Sequence, residues 1–282
     1  MFPAYPGAMS ASTTFLWRDD PDAADGGRLE ARDDCDVLPA SIEAADSWLV
    51  DAGRTRALDL HRTRFLASIP RDRYRDLNPD AFWAAAIAAI PREGTWFPRV
   101  DLRTQQLRPQ LLFRLREAPA LRQSLTLVTH TGRDPRTAPR FKGPDLESMQ
   151  RLRVEAQGHG ADESAILTPD GFVAETSQSC LAWWQGDALC VPADDLDRID
   201  SVTLRSMLAL ATALGVEVLH EHATPTELDG LEVWAFNALH GIRIVTGWTG
   251  GPSTAERPGR LAAWRARLDA LRKPLPELPA VA

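Results

Sequence analysis

The sequence predicts an α+β protein of two domains. Three observations lead there. The first half offers several short strand candidates and few long helices. Glu117-Ala118-Pro119-Ala120 reads as a linker. Beyond it, longer amphipathic helices separate paired strands. The expected division is a flexible leader over 1–14, a smaller N-terminal α+β domain over 15–120, and a second domain over 121–282.

The elements follow in order. Phe15-Leu16-Trp17-Arg18 is a strand candidate, followed by an acidic loop from Asp19 to Gly27. Ser47-Trp48-Leu49-Val50 and Ala57-Leu58-Asp59-Leu60 read as strands around a turn at Asp51-Ala52-Gly53. His61 to Ser68 reads as a helix that ends before Pro70. Asn78-Pro79-Asp80 caps the next helix, Ala81 to Ile90, which is apolar on most sides and expected to be buried. Trp96 to Val100 and Gln110 to Leu115 are further strands.

In the second half, Leu125 to Thr129 is a strand. Arg133 to Arg140 is a polar loop that delivers Phe141-Lys142. Pro144 opens a helix with Leu146, Met149 and Leu152 on one face, closed at Gly158 or Gly160. Ser164 to Leu167 and Gly171 to Glu175 pair around Thr168-Pro169-Asp170-Gly171. Cys180 to Trp184 and Ala188 to Val191 pair around Gln185-Gly186-Asp187, with Trp183-Trp184 against a sheet face. A helix opens at Ser201 and ends at Gly215. Val216 to Leu219 is a strand, and Thr226 to Asp229 a helical turn. Leu231 to Phe236 and Ile242 to Val245 are strands around Asn237-Ala238-Leu239-His240-Gly241, and Leu261 to Leu271 is the last helix.

Composition excludes several classes. The net charge is -7 with no basic run, which argues against nucleic acid or an anionic membrane surface as the main partner. The longest apolar run, Ala81 to Ile90, is well short of the roughly 18 residues of a membrane span. Met1 to Thr14 lacks the basic start and apolar middle of a signal peptide. Cys35, Cys180 and Cys190 have no metal spacing, no metal is expected, and their odd count suggests no disulfide framework. A cytoplasmic location is expected.

The chemistry centres on lysine. The chain has only two, Lys142 and Lys273, and meets its other basic needs with arginine. Unlike a guanidinium, an amine can lose its proton near neutral pH and attack a carbonyl to form a Schiff base. Glu175 closes a strand just before Thr176-Ser177. Ser201-Val202-Thr203 sets free backbone N–H groups and a hydroxyl at a helix start, a ready anion site. Arg64, in His61-Arg62-Thr63-Arg64, offers a guanidinium suited to phosphate. An amine, a carboxylate and a phosphate cradle are the parts a pyridoxal phosphate site needs.

These stretches resemble the class IV aminotransferases, fold type IV pyridoxal phosphate enzymes. That family includes branched-chain aminotransferases, D-amino acid aminotransferases and aminodeoxychorismate lyases. His61-Arg62-Thr63-Arg64 resembles its His-x-x-Arg. Gly160-Ala161-Asp162-Glu163, Ile166-Leu167, Asp170-Gly171 and Ala174-Glu175 resemble its Gly-Ala-Asp-Glu run. Ser201-Val202-Thr203 resembles the Gly-Ile-Thr phosphate motif. Asn237-Ala238-Leu239 resembles the Asn-Ala-Leu of the lyases, as does the Lys142 to Glu175 separation, 175 − 142 = 33. The resemblance covers about Ala44 to Trp248.

What the resemblance implies is specific. The fold is expected to be that of a D-amino acid aminotransferase, with the second domain binding pyridoxal 5'-phosphate in the cleft between domains of a homodimer. Lys142 is expected to form the Schiff base and shuttle a proton, and Glu175 to bind the pyridine nitrogen. Arg64, Ser201, Val202 and Thr203 are expected to hold phosphate, with Ala238 and Leu239 giving further N–H groups. Arg99, Asn237 and His240 are the residues expected to face substrate. There are departures. Gly143-Pro144-Asp145-Leu146 stands where many members carry Asn or Asn-Tyr, Cys180 replaces an Asn, and Ser201 replaces the phosphate Gly. The expected activity is amino transfer between an amino acid and a keto acid. A 4-amino-4-deoxychorismate lyase, releasing pyruvate and 4-aminobenzoate, is the alternative. A cofactor-binding protein without turnover is the second.

Overall fold

The computed structural model of the chain describes residues 12–20, 26–32, 40–106 and 108–277. It is a mixed structure of helices and sheets. A five-stranded antiparallel sheet runs in the order Gly27–Arg32, Ser12–Asp19, Arg108–Arg116, Arg99–Gln105, Ser41–Ser47. Helices α1 (Leu58–Ala67) and α2 (Pro79–Ala88) belong to the same half. Its core gathers Trp48, Phe65, Phe82, Trp83 and Phe113. As the sequence indicates, the Asn78 side chain caps α2 by accepting from the Ala81 N–H at 3.1 Å.

The second half is built on an eight-stranded mixed sheet. Its order is Val173–Thr176, Glu163–Leu167, Ser124–Thr129, Gly241–Thr249, Glu232–Asn237, Cys180–Gln185, Ala188–Pro192, Val218–Glu221. Both faces are covered, so its strands read as nearly continuous apolar runs. The strand Cys180–Gln185 shows the two-residue period that follows. Cys180, Ala182 and Trp184 enter one core with residues of α4 (Val202–Ala213) and α5 (Arg260–Asp269), while Leu181 and Trp183 enter the other. Trp183 and Trp184 therefore pack on opposite faces. Helix α3 (Leu146–Gly158) packs against the strand Glu163–Leu167.

Several expectations needed correction. Ala57-Leu58-Asp59-Leu60 is not a strand, because α1 begins at Leu58. Ala57 takes a left-handed conformation, φ 45°, and turns the chain into a helix that buries His61 and Phe65. Ser47 to Val50 does not form one strand; pairing stops at Ser47 and resumes at Val50. Trp96 to Val100 is likewise broken around Pro98, into Thr95–Trp96 and Arg99–Gln105. Ser12 to Thr14 belong to the first strand rather than a leader, and the rest of the leader lies outside the described residues. The acidic loop also falls partly outside them. The C-terminal segment crosses back to the first half. Lys273–Pro274 pairs with Arg54–Thr55, and Leu275 is buried in the first core. Among the described residues, no helix is long and apolar enough to cross a membrane.

Candidate active site

A cleft of about 1100 Å³ opens between the five-stranded sheet, the eight-stranded sheet and the start of α4. Lys142, Glu175, Arg64, Ser201, Val202, Thr203, Ala238, Leu239, Arg99, Asn237 and His240 all line it. Residues far apart in the chain thus share one cleft.

Lys142 is carried by a loop that is fixed from both sides. Its carbonyl accepts the Ala45 N–H at 2.7 Å, which ties the loop to the strand Ser41–Ser47. Gly143 lies so close to that strand that a Cβ would fall 2.8 Å from the Ala44 nitrogen. Asp145 secures the other side. One carboxylate oxygen accepts the Thr137 N–H and hydroxyl, both at 2.8 Å, and the other accepts the Ala138 N–H at 2.9 Å. The sequence identified Asp145 only as a departure; here it braces the loop that presents the lysine. The Lys142 amine makes no hydrogen bond or ion pair among the described residues. Desolvation, reinforced by the Arg64 guanidinium, brings it down to about 8, although Asp46 and Glu175 oppose the shift.

Glu175 is buried, and both its oxygens have protein partners. Arg136 bonds to Oε1, and the Ile199 N–H donates to Oε2 at 3.2 Å. Burial pushes its carboxyl up against the pull of Arg136. Arg136 is itself clamped by Asp134, with Nη2 at 2.7 Å from Oδ2. Arg64 is more committed than the sequence implies. Its Nε and Nη2 donate to Asp46 at 2.8 Å, and its Nη1 donates to the Asp200 carbonyl at 2.9 Å. Arg64 therefore ties α1 to Asp200, the residue before the Ser201 cap of α4. Asp46 has no exposure and also accepts from His61 Nδ1 at 2.8 Å. Burial alone would raise its carboxyl, but Arg64 and His61 hold it well below the usual range.

At the start of α4, Ser201 caps by accepting the Leu204 N–H at 3.3 Å. The Val202 and Thr203 N–H groups make no hydrogen bond among the described residues, and both residues line the cleft at the positive end of the helix. The Ala238 and Leu239 N–H groups are free in the same sense. Their turn is held by the His240 N–H, which donates to Asn237 Oδ1 at 2.8 Å. Behind it, Asn237 Nδ2 donates to Ser179 Oγ at 3.2 Å, within a buried network of Ser179, Glu163, Thr176 and Arg243. Cys180 is buried, its Sγ 3.5 Å from the Ile199 carbonyl, and burial pushes the thiol up to about 12, so it is no nucleophile.

Sequence reading missed Asp46, Arg136 and the bracing role of Asp145. A carboxylate 18 positions before Arg64, or an arginine 39 positions before Glu175, carries no local signature.

A family model described as amino-transferase class IV matches residues 43–248. Among solved structures, the chain is similar to a fold IV-transaminase from Curtobacterium pusillum, with a TM-score of 0.74 and 18% identity over 92% of this chain and 97% of that one. It is similar to a branched-chain amino acid aminotransferase from Escherichia coli, with a TM-score of 0.74 and 17% identity over 92% and 94%. A hypothetical aminotransferase from Mycobacterium tuberculosis, in its PLP-bound form, gives a TM-score of 0.68 and 14% identity over 93% and 98%. At such identities the likeness is one of fold. No curated protein sequence matches the chain. The family model spans most of the chain and covers every candidate residue lining the cleft, and on that match this chain belongs to the class IV aminotransferase family.

Proposed function

We propose that this protein is a pyridoxal phosphate-dependent aminotransferase that moves an amino group between an amino acid and a keto acid at Lys142. The observation that carries the reading is the unpartnered Lys142 amine, brought down to about 8, in one cleft with Glu175 and the free N–H groups of Val202 and Thr203. Class IV aminotransferases use pyridoxal phosphate, and the donor set here suits that group. Lys142 would hold its carbonyl carbon. Glu175, oriented by Arg136 and Ile199, would face its ring nitrogen. Val202, Thr203 and Ser201, with the remaining N–H groups of Arg64, would hold its phosphate.

When bound, the cofactor supplies an aldehyde that accepts amines and a ring that spreads carbanion charge. The chain's own residues do the rest. Lys142 Nζ, neutral in part near neutral pH, would take a proton from the substrate's α-carbon and return it to the carbon that carried the cofactor's aldehyde. Arg99 would receive the substrate carboxylate, although its Nε is already 2.5 Å from the buried Asp101. Ala238 and Leu239 would add N–H groups on the phosphate or carboxylate side. In this reading the N-terminal domain and the C-terminal cofactor-binding domain both wall the cleft. The active unit is a homodimer, consistent with the exposed Phe141 and Leu121 beside the cleft. The Asn237-Ala238-Leu239 turn favours a second reading, the 4-amino-4-deoxychorismate lyase, which needs no amino acceptor.

The test is the visible spectrum of the purified protein after addition of pyridoxal phosphate, beside Lys142→Ala. A new band in the parent, lost in the variant, together with amino transfer from an amino acid to a keto acid, is expected. No band in the parent would overturn the reading. A band with pyruvate release from aminodeoxychorismate and no amino transfer would move it to the lyase.

A further inference from the structure

Lys142 and the start of α4 must keep a set separation if one small ligand is to engage both. Pyridoxal phosphate carries its aldehyde and its phosphate arm on adjacent ring carbons, so it cannot stretch to follow a cleft that widens. The contacts that fix the Lys142 loop, Ala45 on one side and Asp145 on the other, do not reach α4.

The segment that leads into α4 has no regular structure of its own. No helix or strand lies between Pro192 and Val202. Yet it supplies three contacts of the site. The Ile199 N–H donates to Glu175, the Asp200 carbonyl accepts from Arg64, and Ser201 caps α4. Its acidic side chains are what hold it. Asp194 pairs with Arg198 at 3.4 Å and with His220 at 3.1 Å. Asp195 pairs with His222 at 2.9 Å, and Asp200 with Arg205 at 3.2 Å. These partners lie in the segment itself, in α4, or in and just after the strand Val218–Glu221. None belongs to the lysine loop.

Asp197 differs. Its one charged partner among the described residues is Arg140, two positions before Lys142, with Nε 2.7 Å from Oδ1. Arg140 Nη2 also donates to the Asp195 carbonyl at 3.0 Å. These two bonds are the hydrogen-bonded link, among the described residues, between residues 133–142 and 193–200. A planar guanidinium that uses two N–H groups at once fixes direction as well as distance. Arg140 does not line the cleft. Its side chain and that of Asp197 are 53% and 63% exposed, and an ion pair so exposed adds little to global stability. Its effect should therefore fall on placement.

We propose that Arg140 is a positioning residue, which sets the separation of the Lys142 amine from the N–H groups at the start of α4 by gripping Asp197 and the Asp195 carbonyl. The inference rests on the aminotransferase reading for the ligand that spans the two.

The test compares pyridoxal phosphate with pyridoxal, which has the aldehyde and no phosphate and so engages the amine alone. The affinity of each is read from the visible band, in the full chain as parent, Arg140→Ala, Asp197→Ala and the double variant. Arg151→Ala, which breaks an exposed pair with Glu147 on α3, is the control. The preference for pyridoxal phosphate over pyridoxal should fall about two- to fivefold in Arg140→Ala and equally in Asp197→Ala. The double variant should lose no more than either single one. Arg140→Lys, which keeps the charge, should recover part of the preference. The control should match the parent, and the unfolding midpoint of every variant should stay near the parent's. An unchanged preference in Arg140→Ala overturns the proposal, as does a double variant that loses the sum of the two single losses. Amide hydrogen exchange over residues 193–201 of the cofactor-free chain gives a second readout, and it should speed up in Arg140→Ala and not in the control. If the parent forms no band, the aminotransferase reading falls and this exchange alone decides the tie: faster exchange supports it, and equal exchange overturns it.

Discussion

Lys142 titrates where an enzyme working near neutral pH can use it. A lowered value means that the neutral amine appears at lower pH than in a free lysine. With the amine at about 8, rather than the ordinary 10.5, the neutral fraction rises about tenfold per unit below pH 8 and levels off above it. The initial rate of reaction with pyridoxal phosphate should follow that curve, read from growth of the visible band. A rate still climbing steeply above pH 9 would mean that the cleft does not perturb the amine. Lys142 stood out in the sequence because it is rare: 32 basic residues include only two lysines, leaving 30 arginines. That same abundance hid Arg136, which nothing local distinguishes from a solvated arginine. Its importance comes from its partners Asp134 and Glu175, which meet it only once the chain is folded.

At the scale of elements, the loop that carries Lys142 is rigid because Asp145 satisfies it. Asp145→Ala leaves the Thr137 and Ala138 N–H groups in a partly buried site without their acceptor. The expected cost is about 1–3 kcal/mol of stability, measured by chemical unfolding. Cofactor loading should also slow at temperatures where the variant remains folded, because the loop is freed. Unchanged loading would show that Gly143 and the Ala45 contact suffice to place the lysine. Elements with strong local signals, such as α2 with its Asn78 cap and the paired strands after Gly160, were legible in the sequence. Those governed by tertiary contacts were not. Ser41–Ser47 has a single β-branched residue, Ile42, and it forms because Arg99–Gln105 pairs with it. Asp46, on that strand, was therefore invisible as the anchor of Arg64. Ala57-Leu58-Asp59-Leu60 alternates like a strand, yet burial of His61 and Phe65 makes it the start of α1.

The whole molecule is closed by its C-terminal segment. The sequence assigns this Pro-rich tail to the second half, and no local feature shows that it returns to the first. The Leu275 N–H donates to the Gly53 carbonyl at 2.8 Å. Arg54 Nη2 donates to the Arg272 carbonyl at 2.7 Å, and Arg92 Nη2 to the Pro276 carbonyl at 2.9 Å. Leu275 itself is only 5% exposed within the first core. The two walls of the cleft are thus joined both at the Glu117–Ala120 connection and at this return, so their relative position depends on the tail. Leu275→Ala should cost about 2–5 kcal/mol, as for other buried leucines. Its effect should reach the cleft, although Leu275 is not among the residues that line it. Weaker pyridoxal phosphate binding and a lower unfolding midpoint, read from the visible band and from circular dichroism in urea, should appear together. A variant that loses stability while keeping the parent's cofactor affinity would show that the two walls hold their geometry without the return strand.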